Sequence, residues 1–335
     1  MEKIFLILSF ISFNLLLILN FSKIKIFHTN IDKPDNLRKK HKSPTPLAGG
    51  LIIILNLLVY FCLINFLSFN IFEEFFFQSE EAFNIFFLFA LIIFFVGFFD
   101  DKFNLSANLK FVSLTILIII LLFLDENLQI ANLKFSIFAQ NFYLDNYSVL
   151  FTVFCFLVYL NAFNMFDGIN LQSSIYSLII FFYISIFFEN SALLNILIIS
   201  LLFFCYLNYK NKSFLGDSGS LLLGFIISYI FIKLYNLKKI EFADDIVIFM
   251  IIPGIDLLRL FIIRLVGKRN PLSSDRLHLH HLLMNKFNLT QSLFIIIFLI
   301  ISPIFLNYLN INNFISIFVS IFLYFGFLMI AKKKI

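Results

Sequence analysis

Charge is scarce in this sequence. Only 13% of its 335 residues are Asp, Glu, Lys or Arg, about half the usual share of a soluble domain, which excludes an ordinary water-facing globule. Tryptophan is absent while phenylalanine occurs 52 times. With abundant Ile, Asn and Lys, that imbalance points to a biased codon supply rather than to an interfacial aromatic belt. Three cysteines, Cys62, Cys155 and Cys205, lie inside apolar runs with no Cys-x-x-Cys pair, so a disulfide framework is excluded. The first apolar run has no small-residue cleavage site after it and is expected to be a retained span. No soluble domain or internal repeat stands out, and no nucleic-acid partner is expected.

What the chain does have is apolar length. Hydrophobic residues make up 61% of it, and eleven runs approach or reach spanning length: 4–21, 47–69, 82–99, 111–124, 147–163, 173–188, 192–207, 220–236, 246–263, 291–308 and 313–331. The fourth is short, and three residues separate the sixth from the seventh. The expected fold is an all-α polytopic membrane protein of ten or eleven spans, one transmembrane domain over residues 1–335. If the connecting segments alternate sides, 20 of the 25 Lys and Arg residues fall in 22–46, 100–110, 161–172, 208–219, 259–290 and the tail. The positive-inside rule then puts those segments in the cytoplasm and the N-terminus outside. On the opposite side, residues 126–145 have the mixed content of a short hairpin.

Five segments on the basic side carry polar groups that chemistry can use. The first runs from Asp32-Lys33-Pro34 through Arg38-Lys39-Lys40-His41 to Pro44-Thr45-Pro46 and Gly49-Gly50. Its cations suit anionic headgroups, and its prolines and glycines suit a rigid turn into a closely packed helix. In the second, Asp100 and Asp101 end an apolar run, where carboxylates are costly unless paired, hydrated or holding a cation. Oxygen ligands at a wet membrane edge suit Mg²⁺. The third places Asn161, Asn164 and Asp167 at three-residue spacing on one helical face, as helix caps or as contacts to metal or base. The fourth is Gly216-Asp217-Ser218-Gly219, where a helix start favours phosphate and Asp217 would otherwise be an N-cap. The fifth holds Asp256, Arg259, Arg264, Asp275 and Arg276 before His278-Leu279-His280-His281. Those imidazoles could hold a transition metal, donate to phosphate or stand solvated; phosphate and sugar contacts fit best, because no cysteine accompanies them.

Taken together and in order, these strings resemble the polyprenyl-phosphate N-acetylhexosamine-1-phosphate transferases of glycosyltransferase family 4. The likeness runs from Asp32 to His281. The histidine pattern resembles the branch acting on simple UDP-N-acetylhexosamines. The muramyl-pentapeptide branch usually shows three consecutive histidines, where this chain has Leu279. The resemblance implies ten or eleven membrane helices, an active site at the cytoplasmic face of the bacterial inner membrane, a Mg²⁺ or Mn²⁺ cofactor, and undecaprenyl phosphate and a UDP-N-acetylhexosamine as substrates. Membrane lipid surrounds it, and a homodimer is compatible with the pattern. The expected product starts a surface polysaccharide of the O-antigen or teichoic-acid kind.

By the same resemblance, Asp100, Asp101 and Asp217 are catalytic, and Asp217, Asp101 and Asn164 are metal ligands. Lys110 pairs with the acids or a substrate phosphate, Asn161, Asp167 and Asn170 lie at the nucleotide, and His41, Arg276, His278, His280 and His281 contact substrate. One departure stands out: many bacterial members continue with Asp-Gly-Leu where this chain has Asn170-Leu171-Gln172. The resemblance to eukaryotic dolichol-linked relatives, which carry Asn at the first position, implies that a uracil contact survives, while the missing glycine bears on the local turn and on nucleotide affinity.

Two other classes fit the sequence less well. An intramembrane aspartyl protease wants Gly-x-Gly-Asp, and Phe214 stands where its first glycine belongs. An ion-coupled transporter carries its acids near the bilayer midplane, whereas these acids sit at the ends of apolar runs.

Overall fold

The computed structural model describes residues 2–34, 43–67, 76–138, 140–270 and 275–332. The helices are α1 (Glu2–Leu19), α2 (Gly49–Leu67), α3 (Glu80–Phe103), α4 (Ala107–Leu124), α5 (Ser148–Phe166), α6 (Gln172–Phe187), α7 (Ala192–Tyr209), α8 (Gly216–Asn236), α9 (Ala243–Val266), α10 (Leu279–Met284), α11 (Leu289–Tyr308) and α12 (Asn313–Lys332). Each of the eleven apolar runs carries a helix, and the twelfth, α10, is a short polar-flanked one. Among the described residues eight helices are long and apolar enough to cross a membrane, and α1, α2 and α6 are apolar but shorter. The protein is thus an all-helical polytopic membrane protein, as expected for helices apolar on every side.

Small polar residues punctuate the runs. Ser79, Ser106 and Ser191 each accept a backbone N–H from the first turn of the helix that follows, starting α3, α4 and α7. Such caps are worth about 1 kcal/mol. Ser191 is what separates the sixth and seventh runs into two helices. The fourth run, short in sequence, gains a full length because α4 begins at Ala107, just after that cap.

The chain forms two compact units. One comprises Met1–Asp125 and Ser173–Ile227. In it α7 packs on α1 and α2, and α3 packs on α2 and α4. Asn14 of α1 and Asn56 of α2 exchange side-chain hydrogen bonds of 2.7 and 3.0 Å, and each also donates to the carbonyl four residues back. Both are buried, so their polar groups are satisfied where water is scarce. A two-residue ladder of β1 (Ile31–Asp32) and β2 (Thr45–Pro46) closes the first basic segment. From there the chain is laced to the approach of α8: Phe214 N–H donates to Pro46 O, and the amides of Gly49 and Gly50 donate to Phe214 and Leu215 carbonyls.

The other unit comprises Glu126–Gln172 and Ser228–Ile335. There α9 packs against α5, α11 and α12, and α10 sits on α11 and α12. The expected hairpin is present as β3 (Asn132–Lys134) paired antiparallel with β4 (Asn141–Tyr143). It is pinned by Lys134 N–H on the Tyr235 hydroxyl and Ser136 N–H on Asp244, both at 2.8 Å.

Candidate active site

In the first unit the acids lie on helix, not loop. Asp100 and Asp101 belong to the last turn of α3, which ends at Asn104 in the left-handed conformation. Asp100 is 8% exposed; its Oδ1 accepts the Leu105 amide at 2.9 Å and its Oδ2 meets Lys110 Nζ at 2.6 Å. The same ammonium lies 3.0 Å from Asp217 Oδ2. Lys110, one turn into α4, thus holds two carboxylates 117 residues apart in sequence.

Asp101 has another task. Its two oxygens accept the backbone amides of Asp217 at 2.8 Å and Ser218 at 3.0 Å, the first amides of α8. The phosphate expected at that helix start therefore meets an occupied place, because a side-chain carboxylate already answers the helix dipole. Gly216 fits this junction twice over. Its φ is +76°, and a Cβ there would fall 2.7 Å from Asp101 Oδ2.

Among the described residues no three His, Cys, Asp or Glu side chains gather as a metal cage. A hard divalent ion does not need one, since Mg²⁺ commonly takes one or two carboxylates and completes its shell with water and substrate phosphates. Asp100 and Asp217 supply oxygen donors around a place that already holds positive charge, and the Asp217 side chain is 38% exposed. These residues fit such an ion. Asp101 has both oxygens on backbone amides and Asp100 has one on the Leu105 amide and one on Lys110. Asp217 is therefore the most open donor of the three, and Asp101, besides its expected part as a ligand, holds Asp217 in place.

The second unit brings together the third and fifth segments. Asn161, on α5, donates to Leu157 O at 2.7 Å, so its amide N–H serves its own helix. Asn164 lies on the last turn of α5 and Asp167 is its C-cap; both are half-buried, as is Asn170. Leu171 has φ +70°. Leu171 therefore holds a left-handed conformation of the kind glycine favours, on a side chain that disfavours it.

Two of the three imidazoles are shut away from solvent, and His281 is half-buried. His278 and His280 are 5% and 2% exposed, and their rings lie parallel with centroids 5.3 Å apart. His281 meets His280 edge-on at 4.3 Å. Nδ1 of His278 is 2.6 Å from Asp256 Oδ2. Gln172 Nε2 approaches His280 Nδ1 at 3.5 Å, while His280 Nε2 and Gln172 Oε1 are buried with no hydrogen-bond partner. Burial, together with His281 and His278, keeps His280 well below the ordinary imidazole value. Burial and the charge of Arg276 push His281 down to about 4. Both rings are neutral near pH 7, so they act through directed hydrogen bonds rather than charge. Half-buried Arg276 supplies the charge beside them.

Behind these rings stands a buried network that sequence reasoning noted only in part. Asp256 Oδ1 accepts Arg259 Nη2 at 2.8 Å, the Leu279 amide at 3.2 Å and the Tyr324 hydroxyl. Arg259 also donates to Tyr324 Oη and to Leu277 O, at 2.8 and 2.7 Å. Arg264 Nε holds Asp275 at 2.9 Å. Burial alone would push the Asp275 carboxyl up, but the Arg264 hydrogen bond and the Leu277 amide hold it below its usual range. An acid and an arginine three residues apart inside an apolar run are the signal for part of this network; Tyr324, one of 12 tyrosines, carries none. His41, the remaining expected substrate contact, lies outside the described residues with its basic neighbours.

The chain belongs to glycosyl transferase family 4. The model of that family matches residues 83–235, a stretch holding Asp100, Lys110, the 161–170 amides and Asp217 but stopping short of the imidazoles. Full-length relatives carry the likeness further. A Thermotoga maritima protein named undecaprenyl-phosphate alpha-N-acetylglucosaminyl 1-phosphate transferase is 30% identical over 272 residues, 80% of this chain and 77% of that protein. Proteins of the same name from Escherichia coli O157:H7 and Salmonella typhi are 26% and 25% identical over 279 residues, 80% of this chain and 72% of theirs.

Proposed function

We propose that the protein transfers an N-acetylhexosamine 1-phosphate from a UDP-sugar to undecaprenyl phosphate, releasing UMP and leaving a lipid-linked sugar diphosphate. The observation that carries this reading is the Asp100–Lys110–Asp217 cluster at the start of α8, in a chain whose relatives bear the name of that reaction. N-acetylglucosamine, the sugar in those names, is the first donor to test.

Phosphoryl transfer needs alignment and charge stabilisation more than covalent chemistry. Asp217, with Asp101 and Asp100 beside it, would hold a divalent ion, taken as Mg²⁺, which when bound would neutralise charge on the diphosphate and on the UMP that leaves. Asp101 places Asp217 by fastening the first amides of α8. Lys110 keeps two like charges together before substrate arrives and offers an ammonium to a phosphate afterwards. The lipid phosphate is already largely ionised near neutral pH, so Asp100 has little proton to take and acts mainly by electrostatic placement. The neutral His280 and His281 give directed hydrogen bonds to the sugar phosphate, with Arg276 adding charge. Asn161, Asp167 and Asn170 are assigned to the nucleotide; Asn164 remains a proposed metal ligand on resemblance alone, as His41 remains a proposed substrate contact.

One substrate is confined to the bilayer and the other to the cytosol, so the reaction belongs at the inner face of the bacterial cytoplasmic membrane, with the N-terminus outside as the charge count suggests. The product is the starting point of a surface polysaccharide.

The test is an assay in nanodiscs with undecaprenyl phosphate, a panel of UDP-N-acetylhexosamines and Mg²⁺, reading UMP. Release is expected with at least one sugar, only when the lipid acceptor is present, and is expected to stop with chelator. Asp217→Asn should abolish it without lowering the melting temperature. Wild-type turnover by that variant would falsify the assignment. A chiral thiophosphate donor should show inversion at phosphorus, the mark of single displacement.

A further inference from the structure

We infer that Tyr324, on the last membrane helix and beyond every recognised string, is a positioning residue for the donor-binding imidazoles, acting through Asp256 on His278. Tyr324 is fully buried. Its hydroxyl accepts from Arg259 Nε at 2.8 Å and donates to Asp256 Oδ1. Arg259 closes the triangle on the same Oδ1 and also holds Leu277 O. Asp256 is left with Oδ2 for His278 Nδ1 and with Oδ1 for the Leu279 amide. The triangle therefore grips the backbone on both sides of His278 and the ring itself.

Charge-assisted bonds of this length are directional. Fixing His278 fixes its parallel neighbour His280, and through it the edge-on His281. Without the hydroxyl, Arg259 Nε becomes a buried donor with no acceptor, and Asp256 loses one of the donors that aim it. The aromatic ring would remain, so the fault would lie in aim and not in packing. The inference rests on the imidazoles serving the donor; it adds the residue that holds them in place.

Tyr324→Phe is the test, with Ser320→Ala as a control one turn away, where the hydroxyl donates to Ser316 O of its own helix. Tyr324→Phe is expected to raise the UDP-sugar KM about tenfold, the order expected for one lost hydrogen bond to a charged group, with the undecaprenyl-phosphate KM unchanged. Combined with His278→Asn it should add little, because residues acting through one another are not additive. Independently of turnover, the downfield His278 Nδ1 proton of ¹⁵N-histidine-labelled protein should move in Tyr324→Phe and stay in Ser320→Ala. An unmoved resonance with additive kinetics overturns the proposal. If the wild type releases no UMP from any sugar, the functional reading falls, and the resonance alone decides whether Tyr324 aims His278.

Discussion

A methyl group on Gly168 would sit 1.8 Å from Nε2 of His280. The turn after α5 and the buried imidazole of α10 are thus in contact at a point where only hydrogen fits. Gly168→Ala must displace either the turn or the ring. Overpacking of this kind costs about 1–3 kcal/mol. The variant is expected to lose roughly tenfold to hundredfold in kcat/KM for the UDP-sugar, if the cost falls on donor binding. UMP-release kinetics beside a melting curve will separate lost aim from lost fold.

Lys110 stands between two carboxylates, with 14% of its side chain exposed. Lys110→Met leaves Asp100 and Asp217 without their shared counter-charge, and like charges so placed disfavour joint ionisation. Turnover is expected to collapse, and Lys110→Arg to retain more of it than Lys110→Met. Thermal melts in detergent should rank wild type, Arg and Met in that order. A Met variant as active as wild type would remove the ammonium from the mechanism.

Leu171 holds φ at +70°, a conformation that costs an L-residue about 1–2 kcal/mol. Leu171→Gly should relieve that strain, partly offset by the greater freedom of glycine in the unfolded chain. Leu171→Val, with branching at Cβ, should make matters worse. The expected order of melting temperature is Gly at or above Leu, and Leu above Val. The reverse order would show that side-chain packing outweighs backbone strain at this turn.

The neutral state of His281 has a consequence for pH. Its folded value is about 4, below the ordinary imidazole value of about 6.5. Between those values the unfolded chain binds a proton that the folded chain refuses, so folding stability falls as pH drops from about 6.5 towards 4 and is unaffected above that window. Melting temperatures measured from pH 7.5 down to 4.5 should fall more steeply for wild type than for His281→Asn. Parallel slopes would show that His281 titrates normally.

How far the sequence could be read depended on the range of the interaction. Helix positions follow from the length of apolar runs, and the hairpin at residues 126–145 from its mixed composition, because both are local. The bridge from Asp100 to Asp217 was legible as a resemblance and not as geometry, since nothing near Asp101 announces that it will cap a helix 116 residues later. A carboxylate that holds backbone amides and one that awaits a metal look alike in sequence. The imidazole segment offered metal, phosphate or solvent as partners, and burial against Gly168 and Gln172 excludes the last for His280. Tyr324 escaped notice because its role depends entirely on what α9 presents to it.

The paired amides of α1 and α2 bear on how the protein is made. Synthesis delivers Asn14 to the lipid 42 residues ahead of Asn56. Until then its amide hydrogen rests on the Phe10 carbonyl of its own turn, and its carbonyl oxygen has no mate within the helix. The second helix completes the clasp on arrival, so biogenesis of the bundle begins with a latch left half shut.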